Sequence, residues 1–558
     1  MKYPNLVSNH QATLDTALKA NRSRTFHAHW PETPSGKIYG ETANADGEAA
    51  FKAQMNSAFS GLVQKATDGQ VGEEFSPYGF DPGITYPHDS VETLMARAKK
   101  AQHDWQRLTP VERASILIEA LHRGAKKFFE IGYATMHTTG QGFVMGFQAS
   151  GPHAFDRALE AIAMGYDAQT SFATKVKWTK PIGKMSVTID KSYRIIPKGT
   201  NLVIGCSTFP VWNSVPGLFA ALVTGNSAIV KPHPGAVYPI ALVVAAIQHT
   251  FQDLGLDPHI AQLAADTAED PIALDLVEHP DVRVVDYTGG PTFGAVVEKA
   301  GAEGGKVVLS EKAGVNCIIL ESTTNLDKSL DNIAFSLCLY SGQMCTAPQN
   351  IFMPVAGVNV NGEIVSVDEV ASKLRLKIDG IVLNEKMGPA TLGALQNPRI
   401  QARLKEAESL GLEIVRASAP LPHPGFEAAR AVSPLLLKTD ATRDDVFGRE
   451  WFGPVSFIVT TKGFDEALSI VESSVRRHGA LTVLLYTTDA EKMTRAEDVL
   501  TSAGTPVAFN FDNAVWVNQS AAFSDFHGGG RTPAGNATFT DWSFVSVRFN
   551  VVGVRHQA

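Results

Sequence analysis

Glu311 and Cys345 carry the chemistry that this sequence makes easiest to read. The carboxylate opens the run Glu311-Lys312-Ala313-Gly314-Val315-Asn316-Cys317, and the thiol follows 34 residues later in Ser341-Gly342-Gln343-Met344-Cys345-Thr346-Ala347. A thiolate is a strong nucleophile and a carboxylate can activate water, so the two together could run a two-step acyl transfer. Most cysteines are buried and inert, and the chain has three others, Cys206, Cys317 and Cys338. Cys345 differs in following a small-residue turn, where a thiol can be presented to a cleft instead of being packed in a core.

The elements that must position this pair alternate strand and helix in the dinucleotide-binding manner. Residues 202–205 read as a buried strand, 210–213 as a loop, 216–223 as a helix and 227–232 as the next strand. A helix over 238–254 and strands at 260–265 and 282–287 follow, and 307–309 delivers the chain to Glu311. Beyond Cys345 a second α/β unit runs to about residue 523, with a strand-like stretch at 483–486. Upstream, Thr109-Pro110-Val111-Glu112 has the residue types of an N-cap, a first-turn proline and a capping box, and 153–166 reads as another helix. Residues 175–196 alternate as a β-hairpin and 543–554 as a terminal strand. The first 88 residues show the least periodicity: 11–20 and 46–63 read as helices, 76–88 as a connection, and the whole as a strap over the outer surface.

A chain of 558 residues suggests roughly two or three domains. Hydrophobic content of 44% and charged content of 19% describe a soluble globular protein. A net charge of −8 argues against a nucleic-acid or anionic-membrane surface. Four cysteines make no disulfide framework, and no C-x-x-C pair or His-x-x-x-His cluster offers a metal site. The N-terminus lacks a signal-like apolar run, and no apolar stretch reaches ~18 residues. The expectation is a cytoplasmic, reduced protein with neither membrane nor nucleic acid as partner.

Gly342-Gln343-Met344-Cys345-Thr346-Ala347 resembles the Gly-Gln-x-Cys-x-Ala stretch around the nucleophile of the aldehyde dehydrogenase superfamily. The family's Glu-Leu-Gly-Gly-Lys run is replaced here by Val308-Leu309-Ser310-Glu311-Lys312. Alignment on the lysine displaces the acid by three residues; alignment on its distance to the cysteine restores it, and favours Glu311. Pro210-Val211-Trp212-Asn213 resembles the Pro-Trp-Asn motif, which implies that Asn213 donates to the oxyanion beside the backbone N–H of the cysteine. Lys231, in Ile229-Val230-Lys231-Pro232, stands where the family contacts the adenosine ribose. Gly289-Gly290-Pro291-Thr292-Phe293-Gly294 resembles the Gly-Ser-Thr-x-x-Gly run that brings a helix N-terminus to the pyrophosphate, implying roles for Gly290 and Gly294. Proline there removes one N–H donor. Glu450-Trp451-Phe452-Gly453-Pro454 resembles Glu-x-Phe-Gly-Pro, implying Glu450 at the nicotinamide ribose and Phe452 near the ring. Trp212, His233 and Pro234 complete the expected cofactor-binding set.

The resemblance implies an α/β, aldehyde dehydrogenase-like fold. Its parts would be an N-terminal extension (1–88), a Rossmann-type cofactor domain (89–174 and 197–316), an α/β catalytic domain (317–524) and β oligomerisation segments (175–196 and 525–558). It implies that Cys345 attacks an aldehyde, that NAD(P) takes up the hydride, and that Glu311 activates the water releasing the acid, with no metal. NAD-preferring relatives place a glutamate three residues after the lysine, whereas this chain has Pro234. That removes a repulsion against a 2′-phosphate, leaves Lys231 free to pair with it and lets His233 add a donor, so NADP is expected over NAD. The Glu-x-x-x-x-Asn-Cys form, Val230-Lys231-Pro232-His233-Pro234 and the long N-terminal segment most resemble the PaaN branch of the superfamily. That implies a CoA-linked semialdehyde of aerobic phenylacetate degradation, of the 3-oxo-5,6-dehydrosuberyl-CoA semialdehyde type. In the family such a hairpin joins a neighbouring subunit, so a homodimer or a multiple of dimers is expected. Two alternatives stand beside this reading: a CoA-acylating dehydrogenase, against which Glu311 counts, and a non-catalytic protein on the same fold.

Overall fold

A computed structural model describes residues 1–513 and 515–557. Thr200–Ile204, Ala228–Lys231, Ala261–Leu263, Val282–Gly289 and Val307–Lys312 pair into one parallel sheet. In space these strands run third, second, first, fourth, fifth, the doubly wound arrangement in which ligands gather at the carboxyl ends of the strands. A parallel sheet covered on both faces needs apolar residues at nearly every position. Leu202, Val203, Ile229, Val230, Val284 and Val285 are accordingly all buried.

Three residues past the end of that sheet, Asn316–Leu320 enters a second, seven-stranded sheet. Its order is Glu413–Arg416, Leu435–Asp440, Val455–Thr461, Pro348–Pro354, Asn316–Leu320, Val483–Tyr486, Val507–Phe509, parallel throughout except for the antiparallel first pair. The crossing is tight: a Cβ on Gly314 would lie 2.5 Å from the Gly479 carbonyl oxygen. Glu311 therefore sits at the rim of one sheet, and Cys345 just ahead of a strand of the other. The α/β architecture expected from the sequence is the one observed.

The helix expected from Thr109 runs Pro110–Ala125, with the Thr109 hydroxyl accepting from the Glu112 N–H and the Glu112 carboxylate accepting from the Thr109 N–H at 3.0 Å. Lys175–Ile182 and Met185–Pro197 form the hairpin, which pairs antiparallel with Phe549–Gln557. The terminal strand begins later than the alternation of 543–554 suggests. Trp542–Ser546 is a short helix, capped by the Asp541 carboxylate accepting from the Phe544 N–H and burying Phe544 and Val545.

The first 88 residues also depart from the expected surface strap. Helix Pro4–Ser23 lies on the helices Pro110–Ala125 and Pro152–Thr170, with Leu14 and Ala17 fully buried. Trp30, Phe51, Phe59 and Tyr86 join the same hydrophobic cluster as the helices that pack on the five-stranded sheet. The helix expected over 46–63 is Ala43–Gln54 and stops before Asn56, whose φ is +55°. The buried Glu74 carboxylate accepts from the Tyr238 N–H at 2.9 Å and so closes the N-terminus of helix Tyr238–Asp253. These contacts depend on aromatic residues scattered among prolines, which give no local period to read.

A buried ion pair ties the C-terminal segment to the five-stranded sheet. The fully buried Arg548 guanidinium donates to both oxygens of Asp286 at 2.8 and 2.6 Å. Asp286 reaches it past Gly217, where a Cβ would stand 2.6 Å from the Asp286 Cγ.

Candidate active site

The loop that carries Cys345 is built on backbone strain. Helix Leu326–Cys338 gives way to a turn in which Tyr340, Ser341 and Gly342 have φ values of +50°, +51° and +66°. Left-handed conformations cost an L-residue about 1–2 kcal/mol each, so something must hold them. The Tyr340 hydroxyl donates to the Thr139 carbonyl at 2.5 Å, and the Ser341 hydroxyl to Leu392 at 3.0 Å. Gly342 is required on a second ground: a Cβ there would lie 2.3 Å from the Gly453 carbonyl oxygen. The cysteine stretch thus packs directly against the Glu450-Trp451-Phe452-Gly453-Pro454 stretch. Gln343 is fully buried, donates to the Tyr340 and Ala394 carbonyls at 3.1 Å, and accepts from the Gln396 N–H at 2.8 Å.

Asn316 fixes the other side of the loop. Its Nδ2 donates to the carbonyls of Cys345 and Ala347 at 2.7 and 3.0 Å, while its Oδ1 accepts from the N–H groups of Leu481 and Thr482. Its neighbour Cys317 is a core residue, and burial pushes its thiol up to about 12. The Asn-Cys pair is therefore scaffold.

Cys345, Glu311, Asn213 and one further side chain, His527, meet in a single pocket. Cys345 is partly exposed as a residue, whereas Glu311, Asn213 and His527 are 4%, 5% and 6% exposed. The Asn213 Nδ2 lies 3.4 Å from both Glu311 oxygens, and the Asn213 Oδ1 accepts from the Cys206 thiol at 3.7 Å. His527 Nε2 stands 3.1 Å from Glu311 Oε1 and 3.8 Å from the Cys345 Sγ. Burial pushes the Glu311 carboxyl up, but the His527 charge and hydrogen bonds from His527, Cys345 and Asn213 bring it below its ordinary value. Burial first, and then the Glu311 charge, push the Cys345 thiol well above its ordinary value. In this arrangement the Asn213 amide serves Glu311, and it must turn from that carboxylate to serve a substrate oxygen.

Sequence reasoning missed His527. It sits in the loop Asp525-Phe526-His527-Gly528, and its partners are 182 and 216 residues away in the chain. The sheet edge brings it in: the Lys312 N–H donates to the Ala534 carbonyl, Ser310 and Asn536 exchange hydrogen bonds, and His527 pairs with Phe539 through two backbone hydrogen bonds. Trp212, expected at the cofactor, packs edge-on against His527 with ring centres 4.8 Å apart, and the Arg157 guanidinium lies 5.2 Å from the Trp212 ring centre.

Of the remaining cofactor candidates, Lys231, His233, Pro234, Gly290 and Gly294 lie at or just past the carboxyl ends of strands of the five-stranded sheet, and Glu450 and Phe452 just ahead of strand Val455–Thr461 of the other sheet. Lys231 is buried and, where the sequence suggested a free lysine, it is already paired. Its Nζ lies 2.6 Å from the Asp266 Oδ1, just past the third strand, and donates to the Pro232 carbonyl. His233 is exposed, its Nδ1 accepting from the Gly235 N–H at 3.0 Å, and Pro234 follows it on the rim. Gly290 caps helix Pro291–Glu303, and a Cβ on it would meet nothing within 4 Å, so this helix N-terminus opens onto free space. Gly294 does something different: a Cβ there would fall 2.6 Å from Lys312 Cδ and 2.8 Å from the Tyr287 ring, so it allows the helix to pack on the sheet. Burial pushes Glu450 up to about 7 against the pull of Arg403, and no hydrogen bond from a described residue satisfies it. Phe452 beside it is half-buried, its carbonyl accepting from Arg403. A half-buried acid without a hydrogen-bond partner among the described residues, an open helix N-terminus and the buried Asp266 beside Lys231 suit the hydroxyls and phosphates of a dinucleotide.

Residues 85–532 match the sequence profile of the aldehyde dehydrogenase family. Over 99% of both chains the fold superposes on the crystal structure of an NAD-dependent aldehyde dehydrogenase from Burkholderia multivorans, with 42% identity and a TM-score of 0.96. The betaine aldehyde dehydrogenase of Rhizobium etli is 26% identical over 490 residues, 84% of this chain and 90% of that protein. The aldehyde dehydrogenase LUC3 of a Fusarium species is 26% identical over 280 residues, and the match spans 56% of that protein, about half of its length.

Gly342→Ala should lower kcat about 100-fold, the scale of a roughly 1 Å misplacement of a reacting group, while cofactor binding followed by fluorescence is retained. Unchanged turnover would show that the left-handed turn does not set the position of Cys345.

Proposed function

Because the chain belongs to the aldehyde dehydrogenase family, we propose that it oxidises an aldehyde to its carboxylic acid with a nicotinamide dinucleotide, through a thioester on Cys345. The observation that carries this reading is the convergence of Cys345, Glu311 and Asn213 at the carboxyl end of the cofactor sheet. The Cys345 sulfur bonds to the carbonyl carbon, and the Asn213 amide with the Cys345 backbone N–H holds the oxygen that gains charge. The nicotinamide, when bound, supplies the acceptor for the hydrogen and electron pair lost from that carbon. Glu450 would hold the nicotinamide ribose, Gly290 the pyrophosphate, and Lys231 with Asp266 the adenosine ribose. Glu311 then takes a proton from the water that attacks the thioester carbon, and the Cys345 sulfur leaves as thiolate. A carboxylate kept ionised by its surroundings suits that task, and this favours hydrolysis over transfer to a free thiol such as CoA.

The cofactor reading shifts from NADP to NAD. NADP followed from a free Lys231 and from the proline at position 234. Asp266, 2.6 Å from the lysine, supplies the carboxylate that Pro234 lacks. A carboxylate accepts hydrogen bonds from ribose hydroxyls and repels a 2′-phosphate, a difference of ~1–3 kcal/mol, or roughly 10- to 100-fold. The similarity to a protein described as NAD-dependent supports the same choice.

For the substrate, the likeness of Glu311 to Cys317 to the phenylacetate-degradation dehydrogenases supports a CoA-linked semialdehyde from an opened ring. Asn316 and Cys317 themselves act as scaffold, so this support is one of lineage, not of substrate contact. The hairpin and the C-terminal strand leave Trp178, Met185, Val551 and Val552 exposed, and bare sheet edges invite pairing, which supports a closed homodimer or a multiple of it. No helix among the described residues is long and apolar enough to cross a membrane.

Steady-state assays with one aldehyde should give kcat/KM for NAD at least 10-fold above that for NADP, with free acid as product whether or not CoA is present. A preference for NADP would remove the role given to Asp266, and an acyl-CoA product would remove that given to Glu311. Light scattering of the protein at micromolar concentration should give twice the chain mass or a multiple of that. A single-chain mass would exclude the assembly.

A further inference from the structure

We propose that His527 is the base that ionises Cys345, taking the thiol proton on Nε2 and standing as an imidazolium between the thiolate and the Glu311 carboxylate. The inference rests on reading Cys345 as the nucleophile. It starts from a difficulty in the pocket. The Cys345 sulfur has to become an anion while a second anion, Glu311, lies within hydrogen-bonding reach, and both burial and that charge oppose it. Glu311 is already engaged, 3.4 Å from the Asn213 amide nitrogen and 3.1 Å from His527 Nε2, and on the proposed reading its task is the deacylating water.

The geometry offers His527 instead. One ring nitrogen, Nε2, faces both groups: the sulfur at 3.8 Å and the Glu311 Oε1 at 3.1 Å. The ring is fixed before any substrate arrives. Its backbone is paired with Phe539 through two hydrogen bonds, Phe539 stacks on it at 6.0 Å, and Trp212 closes the edge at 4.8 Å. The ionisable groups facing it are Glu311 from the strand Val307–Lys312, Cys345 from the nucleophile loop, Cys206 through Asn213, and Arg157 from the helix Pro152–Thr170 across the Trp212 ring. Arg157 is itself engaged by Glu160 at 2.8 Å, so Glu311 is the charge that acts on the imidazole directly.

The proton inventory closes. The S–H bond of Cys345 breaks, its electron pair stays on sulfur, and the proton forms an N–H bond on His527 Nε2. The sulfur then bonds to the carbonyl carbon while the imidazolium keeps its proton beside Glu311. In the hydrolytic step Glu311 receives the proton of water and the sulfur leaves as thiolate, so the thiolate–imidazolium pair is restored and only Glu311 has a proton to release. A histidine that merely anchored Glu311 would leave the ionisation of the thiol unchanged, and this separates the two roles.

The test is the pH dependence of Cys345 alkylation by iodoacetamide, followed on the Cys345 peptide by mass spectrometry in wild type, His527→Ala and His527→Gln, without cofactor or aldehyde. Peptide mapping separates Cys345 from Cys206, Cys317 and Cys338. The wild-type rate at neutral pH is the reference. Both variants should react roughly 10-fold more slowly there, with the profile moved to higher pH, as loss of a thiolate-forming partner requires. Added imidazole should restore part of the rate in His527→Ala. Matching profiles in wild type and in a folded variant, judged by cofactor binding, would overturn the role of His527, whatever happens to turnover. Aldehyde oxidation that survives complete alkylation of Cys345 would instead overturn the reading of the nucleophile.

Discussion

On the proposed reaction Cys345 and Glu311 both carry negative charge within one buried cluster, and much of the structure around them answers that conflict. A pair of like charges about 4 Å apart repel by about 4 kcal/mol at the effective dielectric of a protein site, enough to suppress the thiolate if nothing intervened. Donors therefore surround the carboxylate: His527 at 3.1 Å on one side and the Asn213 amide at 3.4 Å on the other. Each comes from a different part of the chain. Asn213 follows the first strand of the cofactor sheet, and His527 arrives on the C-terminal loop that pairs with the edge strand Val307–Lys312. Arg548 on Asp286 ties the end of the same C-terminal segment to the sheet, so the loop is held at both ends.

The junction of two sheets is what makes this meeting rigid. Glu311 belongs to the last strand of one and Cys345 immediately precedes a strand of the other, with the Gly314 crossing between them too tight for a side chain. Cys345 is then held from three directions: a left-handed turn behind it, the Asn316 side chain on its carbonyl, and Gly342 lying on Gly453. That last contact couples the Cys345 loop to the loop carrying Glu450, so the thiol and the residue proposed for the cofactor ribose are set by one piece of packing.

Much of this was legible in the residues, for identifiable reasons. Parallel strands buried on both faces are continuous apolar runs, and those at 202–205, 227–232 and 282–287 fall where the strands are. The capping box at Thr109 is a local signal and marks a helix start. The acid was readable through its distance to the cysteine, although the residues around it depart from the usual run. His527 and Asp266 were not readable, because each matters only through a partner far away in sequence: Cys345 and Glu311 for the first, Lys231 for the second. The N-terminal segment failed for a related reason, since its buried aromatics pack against helices that form later in the chain. At 543–554 the alternation of apolar residues suited a strand, but the Asp541 cap turned its first part into a helix.

The central claim is that Glu311 releases a thioester formed on Cys345. Intact-mass analysis of Glu311→Gln, mixed with excess aldehyde and oxidised cofactor, tests it most directly. The account predicts one equivalent of reduced cofactor per site, then a stall, with the acyl group of the substrate found as a mass addition on the Cys345 peptide. Continued turnover at the wild-type rate with no adduct on Cys345 would contradict it.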